Sequence, residues 1–408
     1  MGRVVITGAG AISALGCDWA GTRAALEAGK NKVVRMAEWE DYEGLFTKVA
    51  CPVVDFDLPT GLTRKKRRTM GRVSVMAVRS AEQALKEAGL LDDPLLKSGA
   101  CGVSYGSSTG STDAVIEVAS LFTEKSVESL NATTYLRMMG HTAAANIGIF
   151  FGLTGRIIPT STACTSGSQG IGYAYECIKN GYQRVMLAGG AEALCVSEAA
   201  VFDRLYATST RNDAPGETPR PFDRHRDGLV IGEGACTLVL EDYQHAVARG
   251  ATMLAEVVGF ATNSDGMHAT RPSEPTVARV MEMALESAGI PASEIGYVNA
   301  HATGTESGDI VESHATARIF GERMPISSLK SYIGHTLGAC GSLEAWISMQ
   351  MLRDDWYAPT INLTQPDERC AELDYLMDGP RTMSNEYIMT NNFAFAGINS
   401  SIILKRLR

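Results

Sequence analysis

Hydrophobic and polar positions follow two periods along most of the chain. Short runs of apolar and β-branched residues separate segments in which apolar side chains recur every three to four positions. The first pattern predicts strands and the second predicts amphipathic helices, so we expect an α/β protein with mixed or mostly parallel sheets. Predicted strands cover residues 3–6, 102–105, 184–188, 236–240, 256–258, 295–299, 387–391 and 401–405, and predicted helices include 73–88, 167–179, 277–288 and 341–352.

The chain also resembles itself. Residues 84–90 read ALKEAGL and residues 284–290 read ALESAGI, and a predicted strand follows each copy. A glycine-rich turn then opens a helix in both halves, at residues 163–167 and 337–341. Chance similarity of two helix endings is the alternative, but three elements in the same order favour a duplicated domain. The boundary is expected near residues 249–252, which gives halves of 1–250 and 251–408.

Composition excludes several classes of protein. Hydrophobic residues make up 45% and charged residues 20% of the 408 positions, as in ordinary globular enzymes. A net charge of −9 argues against a general nucleic-acid partner. No signal peptide and no stretch long enough to span a membrane is evident. The nine cysteines show no paired spacing, so we expect free thiols in a reducing cytoplasm.

Cys164 has the most distinctive surroundings of these cysteines. Small residues precede it and a predicted helix follows it, which places its thiol at a helix N-terminus. Free backbone N–H groups there are expected to lower the pKa of the thiol and to form part of an oxyanion hole. A buried structural cysteine is the alternative, and we assign it to all the others.

Two histidines accompany this thiol. His301 lies just beyond the predicted strand 295–299, and His335 lies where a strand-like segment gives way to a glycine-rich turn. Active sites of α/β proteins gather at the carboxyl ends of strands. No His-x-x-x-His or Cys-x-x-Cys spacing occurs, so no metal is expected. A thiolate with a general base and hydrogen-bond donors is the equipment for acyl transfer through a thioester.

At these residues the sequence resembles the elongating β-ketoacyl-(acyl carrier protein) synthases of types I and II, in the thiolase superfamily. The resemblance runs nearly end to end and rests on motifs in the family's order. They are 5–8 (VITG), 162–167 (TACTSG), 188–192 (AGGAE), 220–228 (RPFDRHRDG), 232–235 (GEGA), 299–309 (NAHATGTESGD), 330–338 (KSYIGHTLG) and 392–399 (NFAFAGIN). It implies a duplicated thiolase-like fold, α/β with mixed sheets in five α-β-α-β-α layers.

The resemblance also implies roles for individual residues. Cys164 would take an acyl chain from its carrier protein, while His301 and His335 would bind the malonyl thioester and stabilise the enolate formed by decarboxylation. Both substrates would arrive on the phosphopantetheine of acyl carrier protein, with no other cofactor. The remaining implied residues are Phe395 and Cys164 for the oxyanion hole, Lys330 with Glu344 for electrostatic support, Thr303, Thr305 and Thr270 for the phosphopantetheine arm, Phe393 and Thr109 for the substrate pocket, and Asp309 for support.

A basic cluster stands out in this acidic chain. It consists of Arg64, Lys65, Lys66, Arg67 and Arg68. A solvated helix start is the usual meaning of such a run. The family places a docking patch for acidic carrier protein here, so we favour docking. Arg211 is expected to be a second contact.

Three departures from the family pattern point to a specialised pathway. Ala394 and Ala396 replace glycines of the C-terminal loop, which should restrict its motion. Thr109 stands where housekeeping enzymes carry a bulky aliphatic side chain. The predicted helix 135–151, expected to cross a dimer interface, is rich in Met and Ala. Synthases of bacterial aryl polyene clusters are one such branch that the sequence resembles.

Other activities remain as alternatives. A thiolase needs a second cysteine in its C-terminal loop, and residues 393–399 contain none. A non-catalytic chain-length factor would have lost the nucleophile. A starter synthase using coenzyme A would carry Asn in place of His335. A homodimer and a heterodimer with a related synthase or chain-length-factor subunit are both compatible with the sequence.

Overall fold

The computed structural model describes residues 2–407. Sixteen strands lie within this range. They are β1 (Val4–Ile12), β2 (Val34–Arg35), β3 (Val49–Cys51), β4 (Cys101–Gly106), β5 (Ile157–Pro159), β6 (Val185–Glu192), β7 (Ile231–Gly232), β8 (Gly234–Asp242), β9 (Ala255–Ser264), β10 (Ile295–Asn299), β11 (Pro325–Ser327), β12 (Trp356–Tyr357), β13 (Asp374–Tyr375), β14 (Arg381–Thr382), β15 (Tyr387–Ala394) and β16 (Ile398–Lys405).

Thirteen α-helices lie in the same range. They are α1 (Trp19–Glu27), α2 (Arg64–Arg67), α3 (Arg72–Glu87), α4 (Thr112–Thr123), α5 (Thr134–Met138), α6 (Thr142–Phe151), α7 (Ser166–Lys179), α8 (Val196–Asp203), α9 (Tyr243–Ala248), α10 (Glu274–Ala288), α11 (Glu306–Phe320), α12 (Lys330–Ile333) and α13 (Cys340–Asp354). None of the helices within residues 2–407 is both long and apolar enough to cross a membrane.

Eleven strands form one mixed sheet in the order β13-β11-β10-β15-β16-β9-β1-β8-β6-β4-β5. Strand β4 runs parallel to β5 and β6, and β10 runs parallel to β11 and β15. The two halves of the sheet meet where β1 pairs antiparallel with β9, with Val4 opposite Val257 and Ile6 opposite Ala255. Two small sheets, β2-β3-β7 and β12-β14, lie apart from it.

Helices cover the sheet in layers. Helices α3 and α6 pack on the strands of the N-terminal half, and α10 packs on β9 and β16 with α11 beside it. Between the two halves of the sheet lie α7 and α13, and α13 is buried from Cys340 to Leu352. The predicted α/β class with mixed sheets is confirmed, and its layers follow the α-β-α-β-α sequence.

The internal repeat corresponds to two equivalent helix–strand contacts. A Cβ atom on Gly8 of β1 would lie 2.3 Å from the carbonyl oxygen of Ala84, so only glycine lets α3 pack this closely. A Cβ atom on Gly259 of β9 would lie 2.5 Å from the carbonyl oxygen of Ala284 in α10. The matching AG motifs therefore share a packing role. The division into 1–250 and 251–408 stays a prediction.

Two predicted elements were wrong. The predicted helix 135–151 is two helices, α5 and α6, because Met139 is extended (ψ 141°) and Gly140 packs against Ser161, where a Cβ would lie 2.8 Å from Oγ. The strand-like segment before His335 is the short helix α12, preceded by strand β11. Several strands also extend beyond their predicted ends, since glycines that resemble turns, such as Gly189 and Gly190 in β6, remain within the strand.

Candidate active site

The thiol of Cys164 is held by a strained turn. Residues Ala163–Thr165 form one turn of 3-10 helix that leads into α7, and Ala163 has the left-handed φ of 51°. This conformation costs about 1–2 kcal/mol in a non-glycine residue. The hydroxyl of Ser166 compensates locally, since it accepts from Thr162 N at 2.9 Å and donates to Ala163 O at 2.6 Å. The turn leaves the Cys164 side chain only 4% exposed.

Burial dominates the ionisation of this thiol. It raises the pKa of Cys164 to about 12, while the charge of Lys330 and the backbone N–H groups of Phe395 and Cys164 lower the pKa. The prediction that a helix N-terminus lowers the pKa below its ordinary value was therefore wrong, because burial outweighs these contributions. The two N–H groups lie close enough to the sulfur to lower its pKa, and their role as an oxyanion hole stays a prediction.

His335 lies beside the sulfur, with its Nε2 2.9 Å from Cys164 Sγ. Its backbone N–H donates to Val230 O at 2.7 Å, and the preceding Gly334 has a φ of 65° with too little room for a Cβ near that same oxygen. Burial, and then the charge of Lys330, hold the pKa of His335 well below its usual value. The imidazole is therefore neutral, and its tautomer decides whether Nε2 donates to the sulfur or accepts from it.

His301 is the third residue of this group, after Cys164 and His335, and it lies in the C-terminal half of the chain. It follows β10, and its ring lies 5.2 Å from the ring of His335 at an angle of 87°. The carboxylate of Glu312 accepts the N–H groups of His301 (2.8 Å) and Ala302 (2.7 Å) and so fixes this loop. Burial, with contributions from Lys330 and His335, lowers the pKa of His301 well below its usual value. Glu312 was not predicted as part of the site.

A buried ion pair lies behind the histidines. Lys330 and Glu344 form it, and both side chains are completely buried. Burial alone would lower the pKa of Lys330, but the charge and hydrogen bond of Glu344 raise it. Asn392 donates to the second carboxylate oxygen at 2.8 Å and lies 3.4 Å from His301 Nδ1. Asn392 is the first residue of the motif 392–399, and no sequence signal predicted this linking position.

A cavity leads from the surface to the thiol and both imidazoles. Thr303 and Thr305 line it with their hydroxyl oxygens 3.0 Å apart. Phe393 lines it too, its ring 6.1 Å from that of His301. The predicted residues on this cavity are Cys164, His301, His335, Thr270, Thr303, Thr305, Phe393 and Phe395, and Phe202, Arg271 and Glu312 are among those that sequence reasoning missed.

The C-terminal loop, residues 393–397, forms one wall of this cavity. Ala396 has a left-handed φ of 66°, which explains why glycine is the easier residue at this position. Its N–H donates to Ala269 O at 2.8 Å, and Asp265 N donates to Gly397 O at 2.8 Å. The loop is therefore tied to residues 265–269.

Thr109 does not line the cavity at Cys164, contrary to its predicted place in the substrate pocket. Its hydroxyl lies 3.0 Å from Glu198 Oε1 and 3.3 Å from Glu192 Oε1. One hydroxyl proton cannot serve two carboxylates, so a protonated Glu198 donating to Thr109, which donates to Glu192, satisfies all three groups. Burial, reinforced by the charge of Glu192, raises the pKa of Glu198 well above its usual value.

Asp309 supports the loop that carries the threonines. Its carboxylate accepts the N–H groups of Phe222 at 2.8 Å and Gly304 at 3.1 Å, and Arg226 lies 3.6 Å away. Burial raises the pKa of Asp309 to about 6, while Arg226 and the two N–H groups lower it. Its position agrees with a structural role beside the site.

The basic cluster occupies helix α2 and the residue after it. All five side chains are exposed, and Lys66 Nζ lies 4.0 Å from the centre of the Phe150 ring. Within residues 2–407, no carboxylate lies within the 4.0 Å of an ion pair with any of them. Arg211 differs, because it is partly buried, lies 3.5 Å from Asp227 and 3.6 Å from Glu217, and donates to His225 O. Its charge is therefore balanced within the chain, which weakens its predicted docking role.

Two sets of donors are close enough to share a metal ion. They are Cys164, His301 and His335, and His301, Cys340 and Glu344, with the ligand atoms of each set within 4.8 Å of one another. Such thiolate and imidazole donors suit soft divalent ions. The ammonium of Lys330, which lowers the pKa of both histidines, opposes a second cation at either set.

Comparison with known proteins places these residues in a family. The model of the "Beta-ketoacyl synthase, N-terminal domain" matches residues 1–246, and that of the "Beta-ketoacyl synthase, C-terminal domain" matches residues 254–364. The chain is 38% identical over 412 residues to "3-oxoacyl-[acyl-carrier-protein] synthase 2" of Vibrio harveyi, covering 99% of each protein.

Two solved structures are similar over the whole chain. One is a "Beta-ketoacyl synthase from Burkholderia phymatum STM815", with 56% identity, a TM-score of 0.99 and 100% coverage of both chains. The other is "The ishigamide ketosynthase/chain length factor", with 30% identity, a TM-score of 0.90 and 100% coverage of both chains.

Proposed function

Because the chain belongs to the β-ketoacyl synthase family, we propose that it catalyses a decarboxylative Claisen condensation on acyl carrier protein. It is an acyltransferase that joins an acyl group held on Cys164 to the two-carbon unit left when malonyl-carrier protein loses carbon dioxide. The product is a 3-oxoacyl-carrier protein. The observation that carries the proposal is the 2.9 Å contact of Cys164 Sγ with His335 Nε2 beside His301, at the inner end of one cavity.

The first half-reaction loads the enzyme. The sulfur of Cys164 attacks the carbonyl of acyl-S-carrier, and the thiol proton passes to the carrier sulfur that leaves. The N–H groups of Cys164 and Phe395 stabilise the tetrahedral oxyanion. The carrier thiolate leaves and recovers a proton, which gives acyl-S-Cys164 and HS-carrier. The thiol stays protonated until substrate arrives, because burial raises its pKa to about 12.

The second half-reaction forms the carbon–carbon bond. Malonyl-S-carrier binds with its thioester oxygen facing His301 and His335, whose neutral rings can donate hydrogen bonds. The C–CO₂ bond breaks and carbon dioxide departs. The electron pair of that bond stays on the thioester and forms an enolate, which these donors and the nearby charge of Lys330 stabilise. The enolate carbon attacks acyl-S-Cys164, the C–S bond breaks, and the Cys164 sulfur takes up a proton. The 3-oxoacyl-S-carrier is released.

Partners follow from this reaction. Acyl carrier protein delivers both substrates on phosphopantetheine, and we propose that the exposed cluster 64–68 docks it. No further cofactor is proposed, and a reducing cytoplasmic setting is proposed from nine free thiols. The ishigamide relative is a ketosynthase with a chain length factor, so a heterodimer with such a subunit and a homodimer are both proposed assemblies.

Acyl mapping tests the loading step. The protein is incubated with a panel of acyl-carrier thioesters, and the modified residue is located by intact mass and peptide mapping. We expect one acyl group per chain on Cys164 and none on Cys164→Ala, with Cys340→Ala as the matched control because Cys340 contacts Cys164 O at 3.2 Å. Acylation at Cys340 or Cys101 in the parent would overturn the assignment.

A chain-length factor is the second candidate function. Such a partner is expected to lack the nucleophile, whereas Cys164, His301 and His335 converge here. Pathway assignment is a separate proposal: we propose a specialised pathway with stiff or unsaturated acyl chains, such as the aryl polyene branch. The departures from the family pattern at Thr109, Ala394 and Ala396 support it. Rates with saturated and polyunsaturated acyl carriers of equal length test it, and a preference for saturated chains would contradict it.

A further inference from the structure

One arginine on the rim of the active-site cavity has no ion-pair partner. Arg271 is exposed and lines both the cavity that reaches Cys164 and a second cavity beside it. Within the described chain, residues 2–407, no carboxylate lies within 4.0 Å of its guanidinium nitrogens.

The acidic groups around Arg271 are already engaged elsewhere. Glu306 pairs with Arg369, and Asp227 accepts from Ser209 Oγ at 2.9 Å. Asp265 accepts from Asn399 Nδ2 at 2.7 Å and from Ser273 N at 3.2 Å. The cation therefore faces the cavity mouth without internal neutralisation, in a protein whose net charge is −9.

The backbone holds Arg271 in place on this rim. Pro272 follows it, and a residue before proline is confined to extended conformations. The preceding residues 265–269 are tied to the C-terminal loop by the bonds of Asp265 N and Ala396 N. Thr270 N donates to His268 Nδ1 at 3.1 Å, which fixes the turn before the arginine. The backbone at Arg271 is thus anchored beside the C-terminal loop that lines the cavity.

We propose that Arg271 binds the phosphate of the phosphopantetheine arm. This inference rests on the proposed function, which places the thioester end of the arm at Cys164 and therefore the phosphate at the outer end of the cavity. A guanidinium binds phosphate oxygens through two parallel hydrogen bonds. The hydroxyls of Thr270 and Ser307, which line the same two cavities, are further donors. The malonyl carboxylate is the other anion, but it reacts at the buried inner end, away from this exposed side chain.

Binding of two small molecules tests the contact without carrier protein. Titration calorimetry measures the Kd of 4′-phosphopantetheine and of pantetheine, which differ only in the phosphate. We expect the parent to bind the phosphorylated molecule about 5- to 20-fold more tightly, as for a hydrogen-bonded charged contact that is partly solvated. Arg271→Gln should abolish this preference, Arg271→Lys should keep part of it, and Arg279→Gln, an exposed arginine on α10 paired with Glu286, should keep all of it.

The same variants are then assayed with malonyl thioesters of both molecules. Arg271→Gln should raise KM for the phosphopantetheine thioester by a similar factor, leave kcat unchanged and leave the pantetheine thioester unaffected. An unchanged phosphate preference in Arg271→Gln would overturn the proposal. Equal losses of affinity for both molecules would indicate that Arg271 has a structural role. A loss of affinity seen only with whole carrier protein would indicate that Arg271 contacts the surface of that protein instead of the phosphate. If the parent binds with the phosphate preference but turns over neither thioester, the proposed function fails and the Arg271 contact stands.

Discussion

Replacing Glu344 by Gln should destabilise the protein strongly, because it leaves a buried ammonium without its counter-charge. Lys330 and Glu344 are both 0% exposed, and the second oxygen of Glu344 accepts from Asn392 at 2.8 Å. Glutamine keeps the volume and can keep the Asn392 contact, so loss of charge is the main change. Breaking a buried pair from one side typically costs about 3–5 kcal/mol. That corresponds to roughly two to three and a half orders of magnitude in the folding equilibrium.

The second substitution separates lost charge from lost packing. Lys330→Met in the Glu344→Gln background removes the unpaired ammonium, so stability should return to within about 1–2 kcal/mol of the parent. Lys330→Met alone should cost less than Glu344→Gln alone, since burial raises the pKa of Glu344 and lets it take up a proton. Urea unfolding at one fixed protein concentration measures all four proteins. A double variant as unstable as Glu344→Gln, or a loss below about 1 kcal/mol in that single variant, would refute the reasoning.

Four further predictions concern the histidines, the basic cluster and Thr109. His335→Ala should still become acylated at Cys164 but should release carbon dioxide from malonyl-carrier protein about 10²–10³-fold more slowly; normal condensation would contradict this. Replacing Arg67 and Arg68 by Glu should raise KM for carrier substrates but not for pantetheine thioesters, and added salt should raise KM for carrier substrates in the parent. An unchanged KM in both tests would indicate that the cluster is only a solvated surface without a docking role. Burial holds the pKa of both active-site histidines well below the unfolded value, so their contribution to stability is present above about pH 6.5 and falls as pH drops below it. Replacing both by Gln should therefore make the free energy of unfolding, measured with urea, depend less on pH between 7 and 5. An unchanged pH dependence would contradict the assignment. Thr109→Val should cost about 1–3 kcal/mol in urea unfolding because it leaves a buried carboxyl group without its partner, and a neutral effect would show that the hydroxyl is dispensable.

The sequence predicted the elements better than their ends. Helix and strand periods identified the centres of α3, α7, α10 and α13 and of the main strands, because buried faces impose those periods. Strand ends were missed where a close-packed helix keeps glycine inside a strand, as at Gly8 of β1 against Ala84 of α3. The break at Gly140 between α5 and α6 was also missed, since it depends on contact with Ser161, which follows two elements later.

Within the site, the family resemblance supplied residues but not their electrostatics. The contact of Cys164 with His335 joins positions 171 residues apart, and only the family motifs indicated it. The raised pKa of Cys164 depends on its burial, which a local sequence window does not report. The partners of Thr109 were missed for a similar reason, because Glu198 is 89 residues away and adjoins Thr109 only in the folded chain.

The most direct test of the central claim is the stoichiometry of condensation. Acyl-carrier protein and malonyl-carrier protein are mixed with the enzyme, and carbon dioxide and 3-oxoacyl-carrier protein are quantified in the same sample by trapping and intact mass. The account predicts one 3-oxoacyl product for each carbon dioxide released by the parent, and no 3-oxoacyl product from Cys164→Ala. Carbon dioxide release from the parent without 3-oxoacyl product, or undiminished 3-oxoacyl product from Cys164→Ala, would contradict it.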